Sequence, residues 1–148
     1  MLRGEAALVA APVRLAAARR HAIPPGLELV GAGGWTVGGV LLARYDETAT
    51  LPYHELIVFS ALARRSGRLA FVVSHIYVDS DASLAGGREI WGLPKELASF
   101  EWSPRAMTVD QGGRRLLSAR LRRRGGGGVP IPLLAAVFGA LGGVAVRA

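Results

Sequence analysis

The sequence predicts a mainly β fold in which antiparallel strands form a barrel or a strongly curved sheet, with short helical or irregular segments between them. Three observations carry that expectation. Apolar residues come in runs of strand length broken by glycine. Hairpin signals, Ser66-Gly67 and Gln111-Gly112-Gly113, join neighbouring runs. No alternation of strand and helix suggests parallel βαβ units, so hairpin-ordered strands must curve or close on themselves to protect their edges.

Taken in order, residues 1–22 are rich in alanine and arginine and read as a loose N-terminal arm with a short helix after Pro12, ended by Ile23-Pro24-Pro25-Gly26. Residues 23–124 form the predicted β-barrel core. Its strands are Leu27 to Val30, Trp35 to Ala43, Tyr53 to Ala63 and Arg68 to Val78. In the last of these, strict alternation puts Leu69, Phe71, Val73, His75 and Tyr77 on one face and Ala70, Val72, Ser74 and Ile76 on the other. Both sets are largely apolar, which predicts a central strand covered on both faces. From Ser83 to Ala98 paired glycines and Pro94 interrupt the pattern, giving an irregular or briefly helical segment. Strands resume at Phe100 to Trp102, Met107 to Asp110 and Arg115 to Arg122.

Residues 125–148 form a glycine-rich linker and an apolar C-terminal segment. Val129 to Val146 has the length and flanking charge of a membrane span. Its prolines and glycines instead favour an irregular core or interface segment of the same domain, so no membrane partner is expected.

Bulk composition narrows the function. At 148 residues and 51% hydrophobic residues, the chain is long and apolar enough for one domain with a real core. It contains no cysteine, and His21, His54 and His75 lack ligand spacing, so neither a metal site nor a cofactor is expected. The N-terminus lacks an uninterrupted apolar run of signal-peptide length, which points to the cytoplasm. The net charge of +7 comes from short arginine clusters at Arg19-Arg20, Arg64-Arg65, Arg114-Arg115 and Arg122-Arg123-Arg124. They lie at predicted turns and strand ends without interleaved aromatics. No nucleic-acid partner is expected.

Among 18 basic residues only Lys95 is a lysine. Guanidinium stays protonated, whereas a lysine amine can lose its proton when buried and attack a carbonyl carbon to form a Schiff base. Trp91, Leu93, Pro94 and Leu97 are the residue types that exclude water, and desolvation disfavours an ammonium. Lys95 is therefore the candidate nucleophile. Glu55 interrupts an apolar strand, which makes it either a solvent-facing residue, a partner for an arginine, or the proton carrier such chemistry needs. Tyr53 shares its face and His54 points the other way. Arg88 either pairs with a carboxylate of the chain or holds a substrate carboxylate through its fork.

The stretch Ser74 to Ala98 resembles the signature of the acetoacetate decarboxylase superfamily, with Tyr77-x-Asp79, Gly87-Arg88-Glu89 and Pro94-Lys95 at fixed spacing. The likeness extends upstream through Tyr53-x-Glu55 and Ile23-Pro24-Pro25-Gly26-Leu27-Glu28. It implies an antiparallel β barrel in a homo-oligomer, acting as a decarboxylating lyase on a small oxo acid. It also implies Lys95 as the Schiff-base lysine and Glu55 as the pocket carboxylate; Arg88, Tyr53, Trp91 and Leu93 are the candidate residues around the substrate. The chain departs from the family pattern. Glu96 stands where decarboxylases have a second lysine, and the family's second pocket carboxylate, which would fall near Val40, is absent. Two alternatives follow: aldol condensation and dehydration through the same iminium, or a non-catalytic ligand-binding or assembly module of the same fold.

Overall fold

The computed structural model describes residues 4–120, 137–141 and 144–147. In chain order the elements are β1 (Gly4–Arg14), α1 (Leu15–Ala18), β2 (Glu28–Val30), β3 (Trp35–Tyr45), β4 (Tyr53–Arg65) and β5 (Arg68–Val78). They continue with α2 (Asp81–Trp91), β6 (Lys95–Leu97), β7 (Ser99–Trp102), β8 (Ala106–Gln111), β9 (Arg114–Arg120), β10 (Val137–Leu141) and β11 (Val144–Arg147). The main sheet runs β1-β3-β4-β5-β10-β11, with β2 added to β4 and β6 to β5; β7-β8-β9 form a second sheet. Among the described residues neither sheet closes, so the mainly β expectation holds while the barrel does not. Most pairing is antiparallel, but β6 and β10 both join β5 in parallel.

The predicted loose arm is instead an eleven-residue strand. β1 pairs with β3 without interruption, from Gly4 opposite Tyr45 to Arg14 opposite Trp35. Its alanine-rich sequence carries no strand periodicity of its own. Backbone pairing along an otherwise open β3 edge decides its conformation, the kind of tertiary override to which strand preferences are subject. The short helix expected after Pro12 is α1.

β5 is central, as its two apolar sets predict. It has β4 on one side and β6 and β10 on the other, with Val72, Val73, Ile76, Tyr77 and Val78 all buried. Its faces, however, are not those of strict alternation. The β4–β5 register shifts at Val58/Phe59 and again at Phe59/Ala61. Such bulges insert an unpaired residue and reverse the phase of side chains beyond it. Val73 therefore shares a core cluster with Ile76 and Val78, not with Tyr77.

Two layers cover the main sheet. On one face Leu42, Leu56 and Tyr77 pack against Met107 and Val109 of the second sheet. On the other, Leu41, Tyr53, Phe59, Val73, Ile76 and Val78 form a cluster that Leu84 of α2 and Leu93 pack against. Burying a side chain such as Ile76 or Leu42, each 2% exposed, contributes about 2 kcal/mol. The helix-covered face is the one that carries Lys95.

The segment expected to be irregular or briefly helical between Ser83 and Ala98 is mostly the eleven-residue helix α2 followed by β6. Ser80 caps its start, its side chain accepting from the Ser83 N–H at 3.3 Å. Gly92 ends it in the left-handed region at φ 59°, a conformation that favours glycine. The two glycines that suggested a break, Gly86 and Gly87, lie inside the helix, where the caps and packing outweigh their poor propensity. Of the apolar tail, the described parts are β10 and β11, a hairpin beside β5. Arg122-Arg123-Arg124, the tetraglycine run and the start of the tail lie outside the described residues. Among those described, no helix is long and apolar enough to cross a membrane.

Candidate active site

Strand alternation on β4 aims Tyr53, Glu55 and Ile57 at the layer beneath α2, while β6 begins with Lys95 pointing the same way. Lys95 is 6% and Glu55 5% exposed. The amine Nζ lies 2.9 Å from Glu55 Oε1 and donates to Ser83 Oγ at 2.8 Å. The other carboxylate oxygen, Oε2, accepts from the Tyr45 hydroxyl at 3.2 Å. The amine also sits 5.3 Å from the centre of the Tyr53 ring. A proton can thus pass directly between Nζ and Glu55, whose second oxygen is held by a phenol. Among the described residues no buried side-chain polar atom here or elsewhere lacks a partner.

Burial of the amine comes only in part from the residues that sequence reasoning chose, of which Trp91 and Leu93 line its cavity. Pro94 and Leu97 are exposed, Trp91 is 49% exposed, and only Leu93 of that set is largely covered. Gly87 makes the space instead. A Cβ built there would lie 2.6 Å from Lys95 Cε, so the stem crosses α2 where no side chain projects. Ser83 and Gly87 are four residues apart on the buried face of the helix, a spacing that stacks them over one another.

The phenols differ from free tyrosine. Tyr45 is shifted well above the usual value, first by burial and then by the charge of Glu55. Tyr53 is shifted upward for the same two reasons, while hydrogen bonds to Ser83 and Tyr45 pull the other way. Both phenols therefore stay protonated at neutral pH, and Tyr45 donates to Glu55. Their rings lie 4.6 Å apart, on residues directly opposite in the β3–β4 ladder.

Of the residues read from sequence, Lys95, Glu55, Tyr53, Trp91 and Leu93 come together around one cavity of about 450 Å³. Arg88 does not join them. It is exposed, and its Nε donates to the Lys95 carbonyl at 2.8 Å, bracing the strand that carries the amine. Glu55, for its part, pairs with Lys95 and, among the described residues, with no arginine. Glu96 faces away, accepting from Gln111 Nε2 at 2.9 Å. His54 lies on the opposite face, bonded to Asp79 at 2.7 Å and stacked on Phe100 and Trp102. Val40, near which the family's second carboxylate would fall, packs on that opposite face too; on the site face β3 supplies Tyr45. Sequence reasoning missed Tyr45 and Ser83. Only cross-strand register and helix phase reveal them. Among the described residues no group of histidines and carboxylates could hold a metal ion.

Comparison with known proteins follows the same outline. Neoxanthin-deficient 1 of Solanum lycopersicum is 33% identical over 106 residues, covering 72% of this chain and 35% of that protein. The chain thus spans about a third of the length of this curated relative. Among solved structures, acetoacetate decarboxylase from Legionella pneumophila superposes with a TM-score of 0.71 at 19% identity, covering 98% of this chain and 61% of that one. The enduracididine biosynthesis enzyme MppR, complexed with the condensation product of pyruvate and imidazole 4-carboxaldehyde, gives 0.68 at 18% identity over 92% of this chain and 60% of its own. These two likenesses are of fold. The sequence profile of acetoacetate decarboxylase (ADC) matches residues 2–128, a stretch that takes in every strand from β1 to β9, and on that match the chain belongs to the acetoacetate decarboxylase family.

Proposed function

We propose that this chain is a Schiff-base lyase that decarboxylates a 3-oxo acid at Lys95. The observation that carries this reading is the 2.9 Å contact between the buried Lys95 amine and Glu55 at the wall of an apolar cavity. Glu55 takes a proton from the ammonium, and the free amine attacks the keto carbon. Loss of water from the carbinolamine leaves an iminium. The bond to the carboxylate carbon then breaks, its electron pair moving into the iminium to give an enamine and CO₂. A proton delivered to the enamine carbon, from Glu55 or the Tyr45 hydroxyl behind it, restores the iminium, and water releases a ketone and the free lysine. Ser83 accepts a hydrogen bond from the amine and orients it.

Sodium borohydride with 3-oxobutanoate or pyruvate tests the amine chemistry directly. The expected result is a reduced adduct on Lys95, identified by peptide mapping to exclude the α-amino group, and no adduct in Lys95→Ala. Glu55→Gln is expected to slow adduct formation by about a hundredfold or more, the usual worth of a positioned proton carrier. A chain that forms no adduct with any oxo acid tested would instead be a binding module.

Aldol condensation is the second reading, because the same enamine can attack an aldehyde in place of a proton. It is favoured by the MppR complex with a condensation product of pyruvate on the same fold. Incubation of the chain with pyruvate and an aromatic aldehyde separates the two, since only condensation consumes the aldehyde.

A further inference from the structure

We propose that the site takes a 3-oxo acid whose remainder is apolar, a medium-chain or branched acyl group rather than a second carboxylate or a sugar-like chain. This rests on the Schiff-base reading of Lys95 and names the substrate class of that site. Among the described residues the charged and hydroxyl groups of the cavity form one cluster: Lys95 with Glu55 at 2.9 Å and Ser83 at 2.8 Å, and Tyr45 with Glu55 at 3.2 Å, with Tyr53 beside them. Among the described residues the rest of the lining, the Trp91 indole N–H apart, is hydrocarbon or glycine. Val73 and Ile76 are buried at its inner part, Ile57 and Leu93 partly so, while Ile90 and Trp91 are 67% and 49% exposed at its open end.

Size and charge both constrain the occupant. A volume of about 450 Å³ lies in the range of pockets that bury a ligand much larger than 3-oxobutanoate, which has only seven non-hydrogen atoms. Lys95 is the only cationic residue among the described residues that line it. Once the amine is committed to the carbonyl, a second carboxylate would sit against hydrocarbon without a partner, a costly arrangement. The carboxylate that leaves as CO₂ bears this cost only until the C–C bond breaks, whereas a second carboxylate bears it throughout. An alkyl chain lying from Lys95 toward Ile90 and Trp91 would take those two side chains out of water.

Borohydride trapping with 3-oxobutanoate, 3-oxooctanoate and oxaloacetate at equal subsaturating concentration tests the class. Each methylene moved from water into such a wall favours binding by about fourfold, so 3-oxooctanoate is expected to trap on the order of a hundredfold faster than 3-oxobutanoate, with oxaloacetate slowest. Ile90→Asn is expected to lower that ratio several-fold. Equal trapping of the two monocarboxylic acids, or a preference for oxaloacetate, would overturn the assignment while leaving Lys95 as the nucleophile. Octanoate, which has no keto group, supplies the independent arm. It is expected to change the tryptophan emission of the chain but not of Trp91→Phe. That change without any borohydride adduct would support the apolar class and remove the Schiff base; no change together with a flat trapping series would remove the class.

Discussion

Gly87 and the present course of Lys95 depend on each other. A methyl group on Gly87 would overlap the lysine stem, with its carbon 2.6 Å from Cε, and the flexible stem is what would yield. A displacement of about 1 Å at a reacting group can cost on the order of a hundredfold in rate. Gly87→Ala is therefore expected to slow borohydride trapping by about that factor, with a melting temperature within a few degrees of the parent; unchanged trapping would mean that the amine has a second productive position. Tyr45 acts on the site through Glu55. Tyr45→Phe keeps the ring and removes one hydrogen bond to a charged group, worth about tenfold or more. The expected outcome is slower trapping with a shifted pH profile, whereas a purely structural tyrosine would leave that profile in place. The same phenols affect stability at high pH. Burial and the charge of Glu55 raise both Tyr45 and Tyr53, so the folded state holds these protons more tightly than the unfolded chain does. Their contribution is present below about pH 10 and is lost as the pH rises beyond it toward the folded values. Thermal melts between pH 8 and 11 are expected to fall more steeply for the parent than for Tyr45→Phe.

At the scale of elements, the site depends on the phases of β6 and α2. In β6, successive side chains alternate: Lys95 enters the cavity and Glu96 goes to Gln111 on the other side. The carboxylate next to the lysine in sequence is thus remote from the amine, and the one forty residues upstream touches it. Glu96→Gln is expected to leave the pH profile of trapping unchanged, because the charge it removes lies across the strand. A shift in that profile would mean that the electrostatics of the second face reach the amine. α2 contributes by its caps as much as by its inward face. Ser80 and Gly92 set where the helix starts and stops, and with it which residues present a hydroxyl and a gap to the lysine. Arg88 then ties the last turn to the Lys95 carbonyl, so helix and strand hold one spacing.

At the scale of the whole molecule, among the described residues β1 pairs with β3 along one side only, and Leu8 and Val9 on it are 54% and 56% exposed. A long strand with an open edge and exposed apolar side chains is a template for further pairing, and a symmetric contact between two copies is the common resolution. Light scattering at micromolar concentration is expected to give a multiple of the chain mass, reduced toward the monomer by Val9→Lys. A monomeric parent would show that this edge needs no partner. Of the arginine-rich surface, Arg64 pairs with Glu28 and Arg115 with Asp110 in exposed bridges of the kind that add little to stability.

The lysine, its family and its strand-rich setting were legible in the sequence, for local reasons. Lys95 stands out against arginine usage, Pro94-Lys95 and Tyr53-x-Glu55 are contiguous patterns, and the apolar runs of β3, β4 and β5 are long enough to show their period without a structure. Tyr53 and Glu55 on one face, with His54 on the other, followed from the same period. What the tertiary structure decided are relations between residues distant in sequence. The bulges between β4 and β5 reversed the phase that strict alternation gave Val73, since an inserted residue leaves no mark in a hydrophobic pattern. Pairing with β3 turned an alanine-rich arm into a strand, because the energy lies in backbone hydrogen bonds that any sequence can make. The choice of Glu55 over Glu96 as partner of the amine, and the arrival of Tyr45 and Ser83 beside it, depend on cross-strand register and helix phase. Those are fixed by packing the helix and the second sheet on opposite faces of one sheet, and no single segment of the sequence contains them.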